Sequence, residues 1–148
     1  MATLTKIVTG MEKGPEAIQG NFDTLNGAIG QAVTVTDWTD AGITYLNGAT
    51  PNSAGLKYRT ANFAGMHMLQ FAGWIDFPPF KDFAADLVAV PANLVIHNQR
   101  VTTLGSIGLS GYHIFSTWLN GDNGHLNVSN AGGMTTGGSI EIDLTMMY

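Results

Sequence analysis

The segment Gly138-Ser139-Ile140-Glu141-Ile142-Asp143-Leu144-Thr145-Met146 decides the fold class, because apolar and polar residues alternate along it without a break. Successive side chains on a strand point to opposite faces. Ile140, Ile142, Leu144 and Met146 therefore share one face, and Glu141, Asp143 and Thr145 share the other. One side buried and one wet is the pattern of an antiparallel sheet.

Working back from this strand, His125 to Ser129 and Gly111 to Leu119 flank Asn120-Gly121-Asp122-Asn123-Gly124, a run of residues that tolerate positive φ and can close a hairpin. Further β-type runs read as strands at Val101 to Leu104, Leu94 to His97, Leu87 to Val90, Phe63 to Phe77, Leu56 to Thr60, Gly42 to Leu46 and Val33 to Trp38. Turn residues recur between them every eight to twelve positions, as in a sandwich or barrel. Pro78-Pro79 ends the long central run, and Trp38 and Trp74 read as packing residues.

Only residues 14 to about 31 carry a helical period. Pro15 suits the first turn, and Glu16 complements the helix dipole. Ile18, Phe22, Leu25 and Ile29 then follow at spacings of four, three and four, the a/d rhythm of a coiled-coil seam. Gly20, Gly27 and Gly30 each cost such a helix up to about 1 kcal/mol relative to Ala, so it needs a surface to pack on. That surface is either its own head or further copies about an axis, three being the expected number. The chain thus divides into an association helix, residues 1–32, and a β-rich head, residues 33–148.

The 148 residues carry a net charge of −5, with only six Lys plus Arg and no Cys. Nucleic-acid affinity rests on clustered cations, so nucleic acid is not the partner. Thiolate metal sites, disulfides and thiol nucleophiles are excluded. No apolar stretch approaches the ~18 residues of a membrane span, and the first ten residues lack a signal-peptide core, so a chain made in a cytoplasm without membrane insertion is expected. Charged residues make up 11%, against roughly 25% in an average domain, which leaves a neutral, polar surface.

Three stretches together resemble the receptor-binding and baseplate proteins at the tail tips of phages that infect lactic-acid bacteria and related Gram-positive hosts. Thr9-Gly10-Met11-Glu12-Lys13-Gly14-Pro15-Glu16-Ala17-Ile18 with Asn21-Phe22 and Leu25 is similar to the entry into their helical stem. Trp38 through Leu46-Asn47-Gly48, with Leu56-Lys57-Tyr58-Arg59 and the strand reaching Gly73, resembles the start of their β heads. Asn120-Gly121 through Gly124-His125-Leu126, with Gly138 to Leu144, resembles the closing strands. The resemblance implies a homotrimer in the virion, attached to other tail proteins through its N-terminal part, whose head binds host cell-wall polysaccharide. It transfers no individual binding residue.

Chemical motifs point the same way. Glu141 and Asp143 lie about 7 Å apart along one strand face, a spacing open to glycoside cleavage, but an exposed polar face explains them and no catalytic residue is assigned. His67, His97, His113 and His125 are scattered without ligand spacing, so neither a metal nor a cofactor is expected; His67, between two methionines, reads as a core or interface histidine. Gly105-Ser106-Ile107-Gly108 is not a nucleophile elbow, and no Walker lysine follows the glycines.

Recognition remains. Sugars bind through an aromatic plate plus fixed polar groups, and two places gather these residue types. One comprises His113, Trp118, Asn120, Asp122 and His125; the other comprises His97, Asn98 and Arg100. An adhesin is the leading reading, a baseplate part that touches only other tail proteins is the alternative, and a polysaccharide-degrading enzyme is the weakest.

Overall fold

A computed structural model describes residues 3–81, 84–94, 97, 99–106, 112–130 and 133–148, with backbone alone at 31–32, 99–106 and 112–114. The chain is mainly β with one N-terminal helix. Helix α1 (Gly14–Ala32) leads directly into β1 (Val33–Val35), followed by β2 (Thr44–Tyr45), β3 (Thr50–Phe63), β4 (Met66–Phe77) and β5 (Ala84–Ala89). Then come β6 (Gln99–Ser106), β7 (Tyr112–Asn120), β8 (His125–Ser129) and β9 (Gly138–Met147).

All nine strands form one antiparallel ladder in the order β1-β3-β4-β9-β6-β7-β8-β5-β2. Between β9 and β6 only Gly105 with Ile140 and Ser106 with Ser139 are in register, and the ladder folds over at this short join into two facing sheets. Their apolar faces form one core. Ile140, Ile142, Leu144 and Met146 are each no more than 1% exposed, as the alternation of β9 requires. Leu56, Leu69, Phe71 and Ile75 join them from β3 and β4, and Leu87, Val88, Phe115, Leu119, Leu126 and Val128 face them from the second sheet.

Two backbone devices shape the first sheet. Between Asn52 and Lys57 the register of β3 against β4 shifts, and the extra residues bulge over Gly73. A Cβ at Gly73, whose φ is +137°, would lie 2.1 Å from the Gly55 carbonyl oxygen, so only glycine fits there. On the far side of the gap, the Tyr45 hydroxyl on edge strand β2 accepts from the Leu56 N–H of β3 at 2.9 Å. A side chain thus links the two ends of the ladder where strands do not.

The strand expected from Phe63 to Phe77 begins only at Met66, because Phe63 ends β3 and a hairpin turn precedes β4. Ala64 and Gly65 turn the chain with φ of +53° and +96°, and the Gly65 N–H donates to Asn62 Oδ1 at 2.9 Å. Leu94 lies in a turn, with its N–H on the Pro91 carbonyl, rather than in a strand; residues 95 and 96 lie outside the described residues. Trp38 and Trp74 are 39% and 38% exposed, so neither is a packing residue of the core. Arg59 covers Trp38, its guanidinium 4.6 Å from the ring centre. His67 is exposed as well, and is not a core histidine.

The helix seam is uncovered. Ile18, Phe22, Leu25 and Ile29 are 46%, 63%, 40% and 65% exposed, so the head of the same chain does not bury them. The segment before the helix folds back along it, with Thr5 and Asn21 exchanging two hydrogen bonds of 2.7 and 2.8 Å. That segment adds Leu4, Ile7 and Val8 to the exposed apolar residues.

Candidate functional site

Cross-strand partners share a face and lie about 5 Å apart, so strand register places side chains that sequence separates. Trp118 of β7 is paired with Asn127 of β8, and Asn127 with Asp86 of β5. One row therefore holds an aromatic ring, an amide and a carboxylate. On the other side of Trp118 the row continues to the backbone of Arg100 in β6. The Arg100 and His113 side chains lie outside the described residues, as does Asn98.

Asn127 is 5% exposed although polar. Its amide donates to the His125 carbonyl at 2.9 Å, and among the described residues no donor is recorded to its oxygen. That oxygen can accept from a ligand hydroxyl or N–H. Asn127 lines a cavity of about 540 Å³ together with Asp86, Asn47, Lys81 and the Pro78-Pro79-Phe80 segment. Such a volume lies within the roughly 300–1,000 Å³ of small-ligand sites.

The polar walls are held in place. Asn47 donates to the Asp86 carbonyl at 3.0 Å, and the Asp86 carboxylate lies 3.2 Å from His125 Nδ1. A bulge at Leu87, where the register against β8 shifts, turns this part of β5. Acceptors predominate among the lining groups, Lys81 supplies a cation at the rim, and the prolines with Phe80 give an apolar wall. A ligand with several hydroxyl donors and a C–H face meets all of these demands.

Of the residues nominated from sequence, Trp118 is the cross-strand neighbour of the lining residue Asn127 without lining the cavity itself. His125 supports its carboxylate. Asn120 and Asp122 serve the hairpin instead, the Asn120 side chain accepting from the Asp122 N–H at 2.9 Å. His97 lies elsewhere, its ring 4.9 Å from that of Tyr148. Asn127 escaped the sequence reading because a polar residue in a β-run reads as solvent-facing, and Asn47 and Asp86 because they lay outside the expected strands, Asn47 in a turn. The signal that could have found Asn127 was its place in Leu126-Asn127-Val128, one amide between two core residues.

No protein-family model, curated protein or solved structure matches this chain. The reading of the site therefore rests on its geometry. Among the described residues no group of three or more His, Asp or Glu could hold a metal ion, and no helix is long and apolar enough to cross a membrane. Glu141 and Asp143 are exposed on the outer face of β9, opposite Trp74 and Ala72.

Proposed function

We propose that this chain is a receptor-binding protein of a phage tail tip, which attaches as a homotrimer to saccharide on the host cell wall. The observation that supports the binding role is Asn127, a buried residue that lines an open cavity with Asp86 and Asn47 and pairs across the strands with Trp118. The cavity adjoins Pro78, just past the Phe77 end of β4, whereas β1 leads back to the helix from the Met66 end, through the pair Val33 with Phe63. A head held by its helix would present that cavity away from the attachment.

Self-association is supported by the exposed a/d seam, which needs a partner to repay its helix. The head offers more of the same surface. Val33, Val35, Phe63, Met66 and Met147 are all exposed at the end of the first sheet nearest the helix. Each trimer would carry three weak sites, and many trimers on one particle would give attachment by avidity.

The exposed apolar end of the sheet also fits a second reading, in which the head contacts only other tail proteins. Labelled protein incubated with cell walls from susceptible and resistant strains separates the two. Retention on susceptible walls alone is expected, and it should fall at least tenfold in Asn47→Gly, which keeps the positive φ, and in Lys81→Ala, both at exposed positions. Equal retention on all walls, or none on any, sinks the saccharide reading and favours the structural one.

A further inference from the structure

At the opposite end of β4 a second cavity opens, with a different lining. It measures about 410 Å³ and includes His67, Tyr148, Tyr58, Thr36, Thr60 and Asn93 on its walls. At roughly 3.3 Å per residue, the two ends of β4 stand on the order of 36 Å apart. They share no lining residue.

Three rings gather at its mouth. His67 stacks on Tyr148 with centroids 5.5 Å apart and planes 22° from parallel, and the exposed His97 ring lies 4.9 Å from the same tyrosine. Backbone pairing fixes the first two, since the His67 N–H donates to the Tyr148 carbonyl at 2.9 Å and the Tyr148 N–H returns the bond at 3.0 Å. An exposed row of rings offers flat apolar faces for C–H groups.

Behind the rings the walls are hydroxyls already half-used by the protein. Thr36 Oγ1 accepts from the Thr60 N–H at 2.9 Å and donates to the Thr60 carbonyl at 3.3 Å. The Tyr58 hydroxyl donates to the Ala41 carbonyl at 3.2 Å, and Thr39 Oγ1 accepts from the Ala41 N–H at 3.1 Å. With their orientation set in this way, the hydroxyls of Thr36 and Tyr58 have their protons engaged and lone pairs open, which suits donors on a ligand.

Among the described residues, no Asp, Glu, Lys or Arg lines this cavity. The nearby Arg59 is occupied, its Nε donating to Gln70 Oε1 at 2.9 Å while the guanidinium lies over Trp38. Among the described lining residues, no fixed charge is available to hold a phosphate, a carboxylate or an ammonium group against water.

We infer that the cavity between Tyr148 and Thr36 is a second binding site, independent of the Asn127 cavity, and that it takes an uncharged sugar ring. Its hydroxyl donors meet the threonine and tyrosine oxygens while its C–H face lies on the ring cluster. A polysaccharide long enough to bridge the two ends of the sheet would engage both sites on one head.

NMR titration of the full chain tests this with three uncharged probes: glucose, galactose and N-acetylglucosamine. At least one probe is expected to shift the ring signals of His67 and Tyr148 in saturable fashion, and glucuronic acid should do so at least tenfold more weakly. Thr36→Val and Tyr148→Ala should abolish the His67 shifts. Asn47→Gly, at the other cavity, should leave the His67 and Tyr148 shifts unchanged. The proposal is overturned if all three probes leave the His67 and Tyr148 signals in place, or if glucuronic acid binds as well as they do. Failure of the Asn127 site reads separately, as an unmoved Asn127 side-chain amide signal with the Tyr148 shifts intact.

Discussion

The ring of Phe77 stands edge-on to that of Phe115, with centroids 5.5 Å apart and planes at 77°. Phe77 ends β4 in the first sheet and Phe115 lies in β7 of the second, so this contact crosses the core where the ladder folds over. Phe115 is fully buried, and truncating such a ring removes both its transfer free energy and the packing around it. Phe115→Ala should lower head stability by about 3–5 kcal/mol in urea unfolding. A loss below about 1 kcal/mol would mean that the two sheets are not held together here.

Gly73 and Gly65 form a controlled pair, since both have positive φ but differ in surroundings. Gly65 has open space where a Cβ would go, whereas a Cβ at Gly73 would meet the Gly55 carbonyl. Gly65→Ala should cost about 1 kcal/mol from backbone strain alone. Gly73→Ala must also move the β3 bulge, and its thermal midpoint should fall clearly further. Equal losses would show that the bulge yields freely.

Tyr45→Phe removes one hydroxyl and leaves the fully buried Leu56 N–H without its acceptor. The expected loss is about 1–3 kcal/mol, the cost of a buried unsatisfied donor rather than of one exchanged hydrogen bond. Amide hydrogen exchange at Leu56 should speed up in the same variant. Protection equal to that of the unsubstituted protein would show that another group takes over.

The His125–Asp86 pair should contribute little to stability. Its side chains are 28% and 39% exposed, and ion pairs in water-accessible positions are worth roughly 0–1 kcal/mol. Asp86→Asn should therefore leave denaturant midpoints nearly unchanged while weakening retention on susceptible cell walls. A large stability loss would instead give Asp86 a structural role.

Phe22→Asp and Ile29→Asp place charges on the proposed trimer seam at positions 63% and 65% exposed in the single chain. Light scattering should report three chains per particle for the unsubstituted protein and smaller species for both variants, with the head's circular dichroism retained. A monomer at micromolar concentration before any substitution would remove the trimer from the proposal.

How much of this was legible in sequence depends on how local the signal was. The alternation of β9 and the spacing of Ile18, Phe22, Leu25 and Ile29 each lie within one element, and the structure has the first as β9's buried face and the second on helix α1. The β3–β4 hairpin was missed because its turn uses Ala64 at positive φ, a residue that normally avoids it. The cavities were less legible still. Asn47, Asp86 and Asn127 meet only through the register of β5 against β8 and a side-chain bond from the β2–β3 turn. Likewise, His67, His97 and Tyr148 come from three separate segments, and of these only His97 had been nominated.

Both outer strands of the ladder are stubs, three residues in β1 and two in β2. Beyond β1, Thr36 and Thr39 bond to β3 one residue at a time, and the Tyr45 hydroxyl caps the bulge. Little continuous backbone is left for a neighbouring molecule to pair with, which is how sheet proteins avoid zipping into fibres. Heads crowded side by side in an assembly can therefore stay separate molecules, free to meet a ligand one by one rather than fusing into a shared, inert sheet.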